Sequence, residues 1–498
     1  MKPQSPFFIT VAFLFVAPSV HARQDADPAH RMIELERDKS QVVSNLAYLS
    51  DRIGPRLTGS ARLKRANEWT AKMMRDYGLV NVHLEGWSFP EPWERGKCEA
   101  RIIEPNGLPV SIAQVAWSPP TNGAVRGKVV RLTAEDEAAF KSFHNKLRGA
   151  IILDLKEYHA PSPGGLMGYN PSADDGEIPA LARKATAAAP APTAPGRQFN
   201  FEEYMARVKR YNSFLRAEGA SAVISVSAKP YGLLDMHGSP ESRWGRPALP
   251  SFIISNENGA QIDRLLRSNV QVTMELRGSG HSTKGPVICY NTIGEIKGSE
   301  KPEELVVLGA HLDSWDLGTG TTDNGTGSMA VLEAARLLKS LGERPKRTIR
   351  FILFSGEEQG LLGSAAYVKA HKNEMSKINA MFVHDIGTGR VKGLWLQNRS
   401  VCKQLIEQEF AGLKDLGLMT GGAEIEAGKM NGTDHASFDD AGVPAFAFKQ
   451  AAAEYGLSHH SQIDTLERVR PNDLMQGALA LAIFAWDAAQ MPDRFPRK

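Results

Sequence analysis

The stretch AHLDSWDLGTGTTDNGTG, residues 310–327, directly follows the apolar run Val306-Val307-Leu308. It sets His311, Asp313 and Asp323 where a buried strand should end. Three more groups of this kind occur downstream. Glu357 and Glu358 follow TIRFILFS, Asp385 closes AMFVHD, and His459 and His460 lie in the loop after VPAFAF. Each group alone has an ordinary reading. Asp323-Asn324-Gly325 is a tight-turn sequence, acids after GlyGlu suit the positive end of a helix dipole, and paired histidines in loops are commonly solvated. Together they bring carboxylates and imidazoles to one edge of one predicted sheet. Carboxylates crowded there repel one another and resist ionisation, and bound cations relieve that repulsion. Imidazole with carboxylate is a zinc-type donor set that needs no thiolate.

The elements that must position these groups can be read from periodicity. Residues 38–53 and 61–76 carry apolar residues at helical spacing, separated by a turn at GPRLTGS. VNVHLEGWSF and CEARIIEP alternate like strands. From about residue 114, short β-rich runs follow: GAVRGKVVRL, RGAIILDL, GASAVISVS, LPSFIISN and NVQVTMEL. Among them lies the Ala/Pro tract 185–196, which reads as an extended or flexible loop. From about residue 284 the pattern becomes strand, helix, strand, helix, and closes on an apolar helix from 471 to about 489. Near-continuous apolar strands alternating with helices predict an α/β fold, with a mostly parallel central sheet covered on both faces. Such sheets bind ligands beyond the carboxyl ends of their strands, which is where the acids and histidines gather.

The 498 residues suffice for more than one domain. A net charge of +3 gives no basic footprint for nucleic acid. Lys2 and the apolar run 7–17 read as an export signal with cleavage after Ala22, hence a secreted or periplasmic product. No later segment reads as a membrane span. Cys98, Cys289 and Cys402 allow at most one internal disulfide and are too scattered for a thiolate zinc site.

Residues 304–390 and 430–468 resemble the co-catalytic two-zinc exopeptidases, the family of bacterial leucyl aminopeptidases, glutamate carboxypeptidase and carboxypeptidase Q. The resemblance rests on HLDSWDLGTGTTDNGTG, FSGEEQGLLGSAAYV, HDIGTG, GTDHASFDDAGVPAF and HHSQIDTLERV in family order. HLDSWD and HHSxxDT are most similar to carboxypeptidase Q, and DRIGPRLTGS to the family's opening. The resemblance implies two Zn2+. Asp323 bridges them, Glu358 and His460 complete one, and His311 and Asp385 the other. His460 rather than His459 is the implied ligand because it precedes Asp464 by four positions. Glu357 is the implied general base, and Asp313 the partner of the free ring nitrogen of His311. His459 is either a donor to the transition state or a loop histidine outside the chemistry. A cis peptide after the bridging acid, Asp323-Asn324, is also implied.

Residues 106–278 resemble an inserted protease-associated domain. The expected organisation is a signal peptide (1–22), an N-terminal catalytic part (23–105), the insertion (106–278) and the main catalytic part (279–498). The expected activity is metal-dependent hydrolysis of short peptides or dipeptides, and the resemblance points to a homodimer. A single-zinc glutaminyl cyclase-like enzyme and a metal-free receptor-like protein are the alternatives. Which peptide terminus is read stays open at this stage. Arg56, Lys429, Asn431 and Arg390 are candidates for holding a substrate carboxylate.

Overall fold

The computed structural model describes residues 27–132, 140–155, 201–240, 246–283 and 285–497. The expected signal peptide and the Ala/Pro tract lie outside the described residues. An eight-stranded sheet organises the catalytic part of the chain. At its centre run four parallel strands: Arg347–Phe354, Lys301–His311, Ile378–Val383 and Ala445–Gln450, in that spatial order. Their flanks are antiparallel. Val80–Phe89 and Val287–Ile296 lie on one side, and Val391–Trp395 pairs antiparallel with Ala445–Gln450 on the other. The sheet is therefore mixed, and the expected parallel order holds at its centre. The crossover helices cover the central strands, while antiparallel flanks can tolerate one wet face.

The central strands are apolar on both sides because both sides are packed. Val306, Leu308 and Ala310 face a large core built on the helices Thr326–Ser340 and Pro471–Gln490. Leu305 and Val307 point the other way, into a core with Tyr367, Phe438 and Val443. Such near-continuous burial explains why these strands read as unbroken hydrophobic runs.

The helix Ala61–Asp76 and the strand Val80–Phe89 coincide with the sequence reading. Ser60 caps that helix by accepting the Leu63 amide at 3.1 Å. The reading of one helix over 38–53 is corrected. A helix Pro28–Lys39 runs two residues into that span and ends, and a second helical segment begins at Val42. Ser40, with ψ 139°, breaks the run, and Pro28 opens the first helix where a missing amide costs nothing.

A second, seven-stranded sheet is formed by strands between Cys98–Glu104 and Thr273–Gly278. Cys98–Glu104, ahead of residue 106, is its edge strand, paired with Thr273–Gly278. A shared apolar cluster joins this sheet to the first. Trp117, Leu234, Met236 and Ile253 meet Leu57, Phe89, Cys289 and Trp315 there. All three cysteines are free thiols.

Phe382 sits at the middle of the larger core, fully buried, with its ring against Phe446, Phe448, Phe484 and Phe495. It lies on the strand that delivers Asp385. Phe382→Ala is expected to cost about 3–5 kcal/mol in denaturant unfolding and to lower activity through displacement of that strand end.

Candidate metal centre

All four parallel strands point their carboxyl ends at one edge, and the singled-out side chains collect there. His311 is the last residue of its strand. Glu357 and Glu358 follow Phe354, Asp385 follows Val383 by two positions, and His459 and His460 follow the short helix Tyr455–Ser458. Asp323 comes from the connection between Lys301–His311 and Thr326–Ser340, and its peptide to Asn324 is cis.

His311 Nε2 lies 3.0 Å from Asp385 Oδ1 and 3.4 Å from Asp323 Oδ1. On the other side of Asp323, His460 Nε2 lies 2.9 Å from Glu358 Oε2 and 3.4 Å from Asp323 Oδ2. Two ligand trios thus share one carboxylate: His311–Asp323–Asp385 and Asp323–Glu358–His460. Ligands about 2.0–2.1 Å from a tetrahedral zinc stand roughly 3.3 Å apart, so these separations suit that ion. Asp323 Oδ2 and Glu358 Oε1 are buried without a hydrogen-bond donor. Buried acceptors without donors are rare and costly, and a cation satisfies them.

The electrostatics agree. Burial, reinforced by Asp323, holds the Glu358 carboxyl well above the ordinary carboxylate range. Burial with Asp385 and Glu358 does the same to Glu357, with His311 opposing. Asp385 is also raised by its burial. Burial opposes charge on His311, but Asp385 and Glu357 outweigh it and hold the imidazole up. Burial works against ionised Asp323 too, yet His311, His459 and His460 hold it down. Glu357 Oε2 stands 4.0 Å from His311 Nε2, beside both trios but in neither. His459 stacks on His460, with ring centroids 3.6 Å apart, and its Nε2 is 3.8 Å from Asp323 Oδ2.

Asp313 works differently from the expectation. The Nδ1 of His311 lies 3.0 Å from the Asp313 backbone carbonyl and 3.7 Å from its carboxylate. The carboxylate instead accepts the Thr58 hydroxyl at 2.9 Å and the amides of Glu357 and Glu358, each at 3.3 Å. Asp313 therefore sets the ring through its main chain and the two glutamates through its side chain.

Three contributors were not assigned from sequence. Asp464, which served there only to set register, grips the bridging loop. It accepts the Thr322 amide at 2.5 Å, the Thr322 hydroxyl at 2.8 Å and the Asp323 amide at 3.2 Å. Burial pushes its carboxyl up to about 7. Asp434, inside the quoted GTDHASF string, is buried beside the centre and likewise pushed up to about 7 by burial. Asp235, from the second sheet's part of the chain, forms a third trio with His459 and His460; nothing in its local sequence marked it.

Three of the four candidate carboxylate partners are engaged elsewhere. Arg56 is fully buried and gives its guanidinium to the carbonyls of Leu312, Thr319 and Gly320 at 2.7, 2.9 and 2.5 Å. It fastens the opening DRIGPRLTGS segment beneath the metal loop. Gly320 is required at that contact, since its φ is 64° and a Cβ would stand 2.2 Å from Ser314 Oγ. Lys429 pairs with Asp439 at 2.7 Å and Arg390 with Asp473 at 3.0 Å; Asn431 is exposed.

Asp464→Asn would turn an amide donor towards the donors it now accepts. The expected result is a 10- to 100-fold loss of divalent-ion affinity, measured by competition against a chromogenic chelator.

Residues 291–484 match peptidase family M28. Mouse carboxypeptidase Q is 29% identical over 456 residues, covering 91% of this chain and 86% of its own. Aminopeptidase YwaD of Bacillus subtilis is 25% identical over 494 residues, covering 95% and 90%. Among solved structures, a peptidase M28 precursor from Shewanella amazonensis superposes with a TM-score of 0.73 at 26% identity, covering 96% of this chain and 99% of that one. A zinc aminopeptidase from Bacillus subtilis shares the fold at 23% identity, with a TM-score of 0.60 over 89% and 93% of the two chains. With those matches and two candidate ligand trios meeting on one aspartate, residues 291–484 form a peptidase family M28 region, the chain as a whole is similar to the co-catalytic zinc exopeptidases, and it is a zinc metallopeptidase.

Proposed function

We propose that this enzyme is a secreted or periplasmic exopeptidase that hydrolyses short peptides or dipeptides at a two-zinc centre. His311 and Asp385 would hold one ion, Glu358 and His460 the other, and Asp323 would contribute to both. The single observation that carries this reading is the pair of ligand trios with one shared carboxylate. Zinc bound at such a centre acidifies a water molecule and polarises the scissile carbonyl.

The protein's own groups perform the remaining work. Glu357 is buried near the two trios without belonging to either. It takes the proton of the attacking water and returns it to the leaving amine. Its backbone amide and that of Glu358 are held by the Asp313 carboxylate, so the base and a ligand are aimed by one anchor. His459, stacked on His460 with Nε2 towards Asp323, is placed to donate to the oxygen that gains charge as the carbonyl is attacked. The second sheet is read as a protease-associated-like insertion over this centre, and the assembly as a homodimer.

Two donor trios favour this reading over a one-zinc cyclase. Retention of Glu357 and all five donors favours it over a binding protein without metal. Export rests on the N-terminal apolar run. Among the described residues no helix is long and apolar enough to cross a membrane.

Purified protein should contain about two zinc ions per chain by elemental analysis. Glu357→Gln should retain them while losing roughly 10²- to 10⁴-fold in dipeptide hydrolysis. A single zinc with glutaminyl cyclisation, or metal-free protein with no hydrolysis, would overturn the assignment.

A further inference from the structure

The segment between residues 229 and 239 belongs to the chain of the second sheet, yet it reaches the metal centre. It is tied down at four places. Met236 donates its amide to the His460 carbonyl at 2.9 Å. Leu234 donates its amide to Gln462 Oε1 at 2.9 Å, and Gln462 Nε2 donates to the Gly232 carbonyl at 3.0 Å. Lys229 Nζ donates to the Gly456 carbonyl at 2.7 Å. Leu234 and Met236 turn their side chains into the cluster with Trp117 and Trp315. Asp235, between them, is 41% exposed, and its carboxylate lies within 4.8 Å of ring nitrogens of both His459 and His460.

We propose that Asp235, supplied by the chain of the second sheet, is the residue that holds the substrate's free α-ammonium. This rests on the two-zinc exopeptidase reading. In any peptide the nitrogen of a residue lies about 2.5 Å from its own carbonyl carbon. A carbonyl held at the ions therefore carries its residue's ammonium into the immediate surroundings of His460. Around His460, the exposed acid supplied by the second sheet's chain is Asp235. Lys229 carries the opposite sign, with its Nζ 3.8 Å from Asp235 Oδ1, but its side chain is only 3% exposed and its ammonium is given to Gly456. The member of that pair presented to a ligand is the acid. An ammonium–carboxylate contact is charge-assisted and strong where water is partly excluded.

The test uses the full-length, zinc-loaded enzyme with an apolar dipeptide, its N-acetyl derivative and its C-terminal amide. Wild type should cleave the free dipeptide and its amide well and the acetylated form poorly. Asp235→Asn should lower kcat/KM about 10- to 100-fold on the two free-amine substrates, chiefly through KM. It should leave the acetylated rate and the zinc content unchanged, and Asp235→Glu should restore part of the loss. Independently of any variant, a free amino acid should inhibit wild type competitively where its N-acetyl derivative does not. Equal loss on acetylated and free substrates, no loss on either, or loss of zinc from Asp235→Asn would overturn the role of Asp235 while leaving the exopeptidase reading intact. Wild type that cleaves no peptide at all would overturn the reading beneath it.

Discussion

Mutual repulsion among buried carboxylates is the constraint around which the site is built. Asp323, Glu358, Asp385 and Glu357 crowd one site, with the imidazoles of His311, His459 and His460 to offset them. A protein without cations would have to keep several of these acids protonated. The surrounding hydrogen bonds do the opposite. Asp464 and Asp313 spend their own charge on backbone amides around the cluster, which fixes the ligands' main chain and leaves the ligand oxygens free. Two such oxygens have no donor at all. The scaffold supplies geometry and leaves neutralisation to bound zinc.

Much of this was legible in the sequence because the central strands are buried on both faces. Strands such as Lys301–His311 and Ile378–Val383 announce themselves as apolar runs, and the first polar residue beyond each is where a parallel sheet binds ligands. His311, Asp323, Glu357, Glu358, Asp385 and the pair His459-His460 could be gathered that way, while the choice of His460 within the pair came from the family resemblance. The helix Ala61–Asp76 was legible for a similar reason, with a capping serine at one end and one apolar stripe along it.

What escaped the sequence depends on contacts between distant segments. Residues 38–53 have helical spacing throughout, and only the extended backbone at Ser40 divides them. The flanking strands Val80–Phe89 and Val287–Ile296 pair antiparallel across some two hundred residues of intervening chain, and no local pattern reports direction. Arg56 was a candidate for holding a substrate carboxylate, since arginine is rarely fully buried. Its guanidinium in fact donates to the carbonyls of Gly54, Leu312, Thr319 and Gly320, and burial pushes its pKa down to about 10. Asp235 sits in a stretch with no periodicity, and its position is decided by amides on either side of it.

The bond from the Met236 amide to the His460 carbonyl has a further bearing. His460 holds a left-handed backbone, with φ 56°, and residues other than glycine adopt that conformation rarely. Its posture is thus underwritten by a strand of chain from the other sheet. The two halves are therefore not interchangeable modules: a foreign insertion lacking this amide would also release the His460 backbone beside the candidate metal centre.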